Sequence, residues 1–221
     1  MAVFIGVFIM GFIATDSGGS GNFKRVPQGV FVGRCYSLID LGTQLSVGQF
    51  GEKLQHKMRI SWELLDNDDD GNPLTVDVDG KEMPMTISKS YTVSLHEKAS
   101  LRKDLAAWRG KDFTDDEARA FDVSKLIGAY AMVNVAISET NGKTYSNVAG
   151  LTALPNSLKA NKPAPVHENI KFDLDEPDMA VFDTFYEKLQ DIIKKSPEWA
   201  QKQGVKYTKP TSDDFDGDVD F

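Results

Sequence analysis

The 221-residue chain has a single cysteine, Cys35, so it closes no disulfide within itself and points to a reducing, intracellular compartment. Its three histidines, His56, His96 and His167, have no zinc-site spacing, and no metal or other cofactor is expected. The glycine-rich run at 16–22 (DSGGSGN) is not followed by Gly-Lys-Ser/Thr, which excludes a phosphate-binding loop and leaves a flexible linker. The apolar run at 1–14 lacks the basic residues of a secretory signal and is too short to span a bilayer as a helix, so no membrane association is expected. Translation starting at Met10 accounts for that run more simply, with the first nine residues as an upstream extension.

The net charge of -8 is uneven. Residues 1–164 hold 18 Lys+Arg against 19 Asp+Glu, whereas residues 165–221 hold 7 against 14. The body is therefore near neutral, and the acidic balance belongs to the C-terminal quarter. It culminates in 212–221 (SDDFDGDVDF), with five aspartates, no base and too little apolar surface to offset the entropy of ordering. An anionic arm with a terminal aromatic suits capture by a pocket that is apolar inside and basic at its rim, although most acidic runs only solubilise.

Between the ends, period-2 patterning dominates. Gly29 to Leu41 is β-rich with a bulge or tight bend expected at Gly33, and a Gly- and Gln-rich loop is expected from Gly42 to Glu52. In the clearest strand, His56, Met58, Ile60, Trp62 and Leu64 alternate with Lys57, Arg59, Ser61 and Glu63. Leu74–Val78 and Met83–Leu95 continue the sheet around an Asp79-Gly80 turn. In the second of these, Ile87, Tyr91, Val93 and Leu95 share one side. The period then becomes helical: Leu101, Leu105 and Trp108 recur at i, i+4 and i+7, and Gly110 ends the helix. Thr114 to Glu117 is a capping box with Ala118 and Phe121 inward, and Asp122 caps a further turn. Strands return at 129–138 and 143–154 around Asn141-Gly142. Met179, Phe182, Phe185, Tyr186, Leu189, Ile192 and Ile193 trace one amphipathic helix, which packs on the core or on a second copy in a homodimer. Ser196-Pro197 opens a short helix holding Trp199, which Gly204 stops.

Asp66, Asp68, Asp70, Gly71 and Asp77 fall at the spacing of a calcium loop, with Asp where the closing Glu belongs. A strand precedes them and Pro73 interrupts them, so an acidic turn is the better reading. Collected, the body reads strand, strand, strand, helices, strand, strand. That order fits a mainly β fold with helices, of the OB-fold type: a five-stranded β-barrel with helices between strands 3 and 4, and here a C-terminal helical extension. The expected division is an N-terminal segment 1–22, a barrel 23–155, a linker 156–176, the extension 177–204 and a disordered acidic tail 205–221.

The stretches 23–27 (FKRVP), 33–42 (GRCYSLIDLG), 51–57 (GEKLQHK), 94–105 (SLHEKASLRKDL) and 141–148 (NGKTYSNV) resemble phage single-stranded DNA-binding proteins, over a span from Met10 to Trp199. The acidic tip ending in Phe is similar to those of bacterial and phage members, although Asp220 stands where bacterial members carry Pro. The resemblance implies a DNA-binding protein of replication and recombination in the cytoplasm of an infected host cell. It also implies that Asp213, Asp214, Phe215, Asp216, Asp218, Asp220 and Phe221 recruit partner replication or recombination proteins. Single-strand binding needs a cationic groove with aromatic platforms, because every phosphate is anionic and every base has a face to stack. The candidates are Lys57 and Arg59 on the second strand, Phe50 and Lys53 in the loop before it, Lys143 and Tyr145 on the last hairpin, and Arg34, Tyr36, Lys89 and Tyr91 as neighbours. A strand tyrosine is more often packing than platform. No enzymatic activity is expected. The rival readings are a protein-only adaptor working through its tail, and a metal-dependent nuclease built on Asp66–Asp70 and Asp115–Glu117, residues that have local turn and capping work instead.

Overall fold

The computed structural model describes residues 24–48 and 51–209. In chain order the strands of the first half are β1 (Gly29–Gly48), β2 (Gly51–Leu64), β3 (Thr75–Val78), β4 (Lys81–Pro84) and β5 (Thr86–Thr92). Helix α1 (Ser100–Arg109), the short α2 (Asp115–Arg119) and a 3-10 turn at Val123–Leu126 follow, then the hairpin of β6 (Tyr130–Thr140) and β7 (Lys143–Ala153). The remainder holds α3 (Asn156–Lys159), β8 (Ile170–Phe172), α4 (Met179–Phe182), α5 (Glu187–Lys194) and α6 (Pro197–Gln203).

The fold is mainly β, built on one antiparallel path of strands ordered β5-β2-β1-β6-β7. Its two end strands, β5 and β7, approach within 8 Å between Cα atoms, yet no ladder joins them and the sheet is not closed into a barrel. Helix α1 packs against both of these strands. It does so because Leu101, Leu105 and Trp108 form its buried stripe and Gly110, at φ 73°, ends it in the left-handed conformation that glycine adopts most readily. Those side chains meet Met58, Ile60, Trp62 and Leu64 from β2, Ile87 and Tyr91 from β5, and Val133, Val135, Val148 and Leu151 from the last hairpin in one core. The Thr114–Glu117 capping box and the Asp122 cap form as their spacing predicts. Asn141 and Asp79, at φ 52° and 53°, each lead a glycine through a tight hairpin turn.

Strand β1 organises a second layer. Register shifts between Cys35 and Ser37 and between Asp40 and Gly42 rotate its faces, so Cys35 and Leu38 enter the main core while Ile39 and Leu41 point the other way. That second face is covered by Phe172 and Leu174 together with Phe182, Phe185, Leu189, Ile193 and Trp199 of the C-terminal extension. Strand β6 pairs β1 only as far as Arg34, and beyond it β8 adds in parallel at Ser37–Ile39.

Several expectations are corrected here. The loop expected from Gly42 to Glu52 is strand at its described residues: β1 runs to Gly48 and β2 begins at Gly51, because Leu45 is buried and the buried Gln44 amide donates to the carbonyls of Leu41 and Ile192. Gly33 is no bulge but a ladder residue between Leu64 and Ala131, and a side chain there would collide with Val133. The β3–β4 hairpin forms its own two-stranded sheet, and the strand expected over 83–95 breaks at Met85, whose N–H donates to the Leu74 carbonyl and whose carbonyl accepts from the Leu64 N–H. The long amphipathic helix is two, α4 and α5. Asp178 caps the first, and the Thr184 hydroxyl donates to the Val181 carbonyl where the break begins, while Phe182, Phe185, Leu189 and Ile193 still reach one core. Residues 156–176, expected as linker, hold α3, β8 and the buried His167. Among the described residues no helix is long and apolar enough to cross a membrane.

Gly42 shows how tightly the extension is seated. Its φ is 69°, and a Cβ there would lie 2.5 Å from the Cβ of Ser196. Gly42→Ala is expected to cost about 2 kcal/mol, from left-handed backbone strain and overpacking together, read as a lower urea midpoint at unchanged slope.

Candidate nucleic-acid interface

The side of β2 turned away from the core carries Lys57, Arg59, Ser61 and Glu63. Across the ladder these pair in rows with β5: Lys57 with Thr92, Arg59 with Ser90, and Ser61 with Ser88. The hydroxyls of Ser61 and Ser88 lie 2.9 Å apart, so this end of the face is a lane of small polar side chains. Arg59 is half-buried and makes no ion pair among the described residues. Lys57, two residues along, is only 9% exposed, and burial pulls its ammonium pKa below the ordinary lysine value. On the β1 side Arg59 faces Ile39, which lies under the C-terminal extension, so the extension walls this face along one edge.

Arg34 and Tyr36 do not join that face. Glu63, wholly buried, accepts from the Arg34 Nε, from the His167 backbone N–H at 2.8 Å, and lies 2.9 Å from His167 Nδ1. Arg34 further donates to the His167 carbonyl and to Asn169 Oδ1 at 2.7 Å. Burial pushes the Glu63 carboxyl up, but the hydrogen bonds from His167 and Arg34 outweigh it and hold it below the usual glutamate range. The Tyr36 ring packs on His167 at 4.8 Å between centroids, and burial pushes its hydroxyl pKa up to about 12. These two expected DNA contacts are thus interior residues, withdrawn because the 166–169 segment folds over them.

Lys89 and Tyr91 are withdrawn for another reason. They pair with Ile60 and Met58, core residues of β2, and therefore stand on the core side of β5. Both reach Asp104 Oδ2 on α1, at 2.7 and 2.8 Å, and burial followed by the Asp104 charge drives the Tyr91 hydroxyl pKa strongly upward. Lys53 is exposed near the tip of the β1–β2 hairpin. Lys143 and Tyr145 pair with Thr140 and Ser138 beyond the row where Val135 meets Gly29, whereas Arg59 meets β1 at Ile39. The two hairpin tips therefore lie at opposite ends of β1. Phe50 and the tail residues Asp213, Asp214, Phe215, Asp216, Asp218, Asp220 and Phe221 lie outside the described residues.

The chain matches no family model and no curated protein.

What this face does chemically follows from its own residues. It offers the half-buried Arg59 and a row of hydroxyls, with Lys57 largely buried beside them and the carboxylate of Glu63 already engaged by Arg34 and His167. Among the described residues no group of three or more His, Cys, Asp or Glu side chains is placed to hold a metal ion. In the acidic turn Asp68 accepts from the backbone of Asp70 and Asn72, and Asp66 accepts from the Val32 N–H. Two clusters escaped the sequence reading. One is the Arg34–Glu63–His167 lock. The other joins α6 to β1: Glu198 accepts from the Thr43 N–H at 2.8 Å and from its hydroxyl, while His56 lies between Asp40 at 2.7 Å and Glu198 at 3.6 Å. The hydrogen bond to Asp40 raises the His56 pKa above its ordinary value, ahead of the opposing effect of burial. In each cluster the contact that closes it joins residues more than 100 apart in sequence, Glu63 with His167 and Thr43 with Glu198, and no local pattern signals them.

Proposed function

We propose that the chain binds single-stranded DNA across the outer face of β2 and β5, as a DNA-binding protein of phage replication and recombination. What carries the reading is the half-buried Arg59, without an ion pair among the described residues, on the second strand of a particular strand order. Strands β1, β2 and β5 form an antiparallel meander, helices follow, and β6 returns beside β1. That is the Greek-key order 4-1-2-3 with a fifth strand appended, which supports an OB-fold left open between β5 and β7. In that fold, oligonucleotides lie on strands 2 and 3 and the flanking hairpin loops, the positions of Lys57, Arg59 and Lys53 here. The resemblance at 33–42, 51–57 and 94–105 leads to the same activity independently.

The acidic run 212–221 serves the same reading twice, recruiting partner proteins and competing with DNA for the cationic face. The test is fluorescence anisotropy with labelled oligo-dT and the matching duplex. The single strand is expected to bind in preference to duplex and to weaken with salt at a log-log slope of about -0.7 per phosphate contacted. Protein lacking Ser212 to Phe221 is expected to bind more tightly at low salt. No shift of oligo-dT at any salt would overturn the DNA reading, and unchanged affinity on truncation would remove the competition.

A further inference from the structure

On the outer face of β2 no aromatic side chain stands in the Lys57, Arg59 or Ser61 rows. Cations and rings coincide elsewhere. A cleft of about 400 Å³ opens between the C-terminal turn of α1, the 3-10 turn, the start of β6, the end of β7 and α3, within the size range of small-molecule sites. Arg109, Lys125, Lys159 and Lys162 line it, and none of its lining residues is acidic. Trp108, Phe121 and Tyr130 contribute the aromatic part of its wall.

The positive charge of this cleft is poorly offset. Lys125 makes no ion pair among the described residues, Lys159 donates to the neutral Asn156 Oδ1, and Lys162 Nζ lies 5.3 Å from the centre of the Tyr130 ring. Arg109 gives Nη2 to Glu117 at 2.6 Å, but that carboxylate also faces Lys111 and accepts from the Thr114 N–H. The other terminal nitrogen of Arg109, Nη1, is buried with no hydrogen-bond acceptor among the described residues, and the guanidinium lies 4.1 Å from the centre of the Phe113 ring. The rings are held in place: Trp108 Nε1 donates to the Tyr130 carbonyl at 2.7 Å and the Tyr130 hydroxyl donates to the Pro163 carbonyl at 2.6 Å.

We propose that this cleft is a second binding site, for a 5′-phosphorylated nucleoside, with the phosphate among Arg109, Lys125, Lys159 and Lys162 and the base against the Tyr130 side of the wall. Four cations, of which only Arg109 is ion-paired among the described residues, select a multiply charged anion, and the ring-bearing wall selects a flat apolar body attached to it. The site uses none of the residues of the β2 face. The same chemistry has two sources, a free nucleotide or the phosphorylated 5′ end of a strand.

The test is isothermal titration calorimetry on the full chain with dTMP, thymidine, inorganic phosphate, and oligo-dT carrying a 5′-phosphate or a 5′-hydroxyl. The wild type is compared with the double variant Lys125→Glu, Lys162→Glu and, separately, with Lys159→Glu, all three lysines being exposed and their melting checked by circular dichroism. dTMP is expected to bind more tightly than inorganic phosphate or thymidine, and the double variant to weaken it about tenfold or more. Binding of dTMP identifies the free nucleotide as sufficient. A preference for the 5′-phosphorylated strand alone, lost in the double variant, identifies the strand end, and both results support the site. No binding of dTMP together with no preference for the 5′-phosphate overturns it, as does inorganic phosphate binding as tightly as dTMP, or folded variants that bind as the wild type does. The dTMP measurement contains no polynucleotide, so its outcome is separate from whether the β2 face holds a strand.

Discussion

Glu63→Ala is expected to remove about 3–5 kcal/mol of folding stability, a large part of the roughly 5–15 kcal/mol that holds a domain of this kind together. The loss does not come from the attraction between Glu63 and Arg34 as such, since the desolvation of a buried pair offsets much of it. It comes from what the substitution leaves behind: the Arg34 guanidinium, 5% exposed, without its carboxylate, and the His167 backbone N–H without its acceptor. Glu63→Gln keeps an acceptor in place and is expected to cost less. Urea unfolding followed by tryptophan fluorescence measures both, and the 163–169 segment is expected to become a protease target in the alanine variant. An alanine variant within about 1 kcal/mol of the wild type would show that the lock is not a determinant of the fold. The pH dependence has a definite sign. Because the Glu63 carboxyl is held below its ordinary range when folded, its contribution is present above the unfolded glutamate pKa of about 4.3 and is lost as pH falls through the folded value. Acidification is therefore expected to narrow the gap between wild type and Glu63→Gln.

How much of this was legible in the sequence depends on whether the deciding contact is local. The stripe of α1, its Gly110 stop, the Thr114 box, the two tight hairpin turns and the alternation of β2 were all readable, because the residues that decide them lie within a turn or a strand of one another. Lys89, expected among the DNA contacts, could have been placed by the same local rule: it shares parity with Ile87 and Tyr91, which puts it on the core side, where Asp104 takes its charge. Arg34 and Tyr36 were not. Alternation assigns a strand residue to a face, but not whether a segment 130 residues later will cover that face, as residues 166–169 do. The same holds for 42–52, whose glycines read as a loop until Ser196 and Leu174 are seen packed against Gly42. Bulges at Asp40/Gly42 and Cys35/Ser37 let one strand serve two cores, and period-2 counting loses its phase at each of them.

Arg59→Glu is expected to weaken single-strand binding by about two orders of magnitude at low salt. A charge-assisted contact to phosphate contributes about 1.5–3 kcal/mol, or roughly 10- to 150-fold, and reversal adds repulsion from the same phosphate. Fold stability should change little, because Arg59 makes no ion pair among the described residues and shares its row with Ser90 and Ile39, which present no charge. Arg59→Ala separates the two effects: it is expected to lower the log-log salt slope by about 0.7, the signature of one lost phosphate contact, and to cost less affinity than the reversal. Lys57 is a poorer probe, since burial has already lowered its pKa and truncating it would open space beneath the C-terminal half of β1. If Arg59→Glu binds oligo-dT with wild-type affinity and salt slope, the strand does not cross the outer face of β2. The Greek-key order would then describe a scaffold whose nucleotide contacts lie at its hairpin tips or at the cationic cleft beside α1.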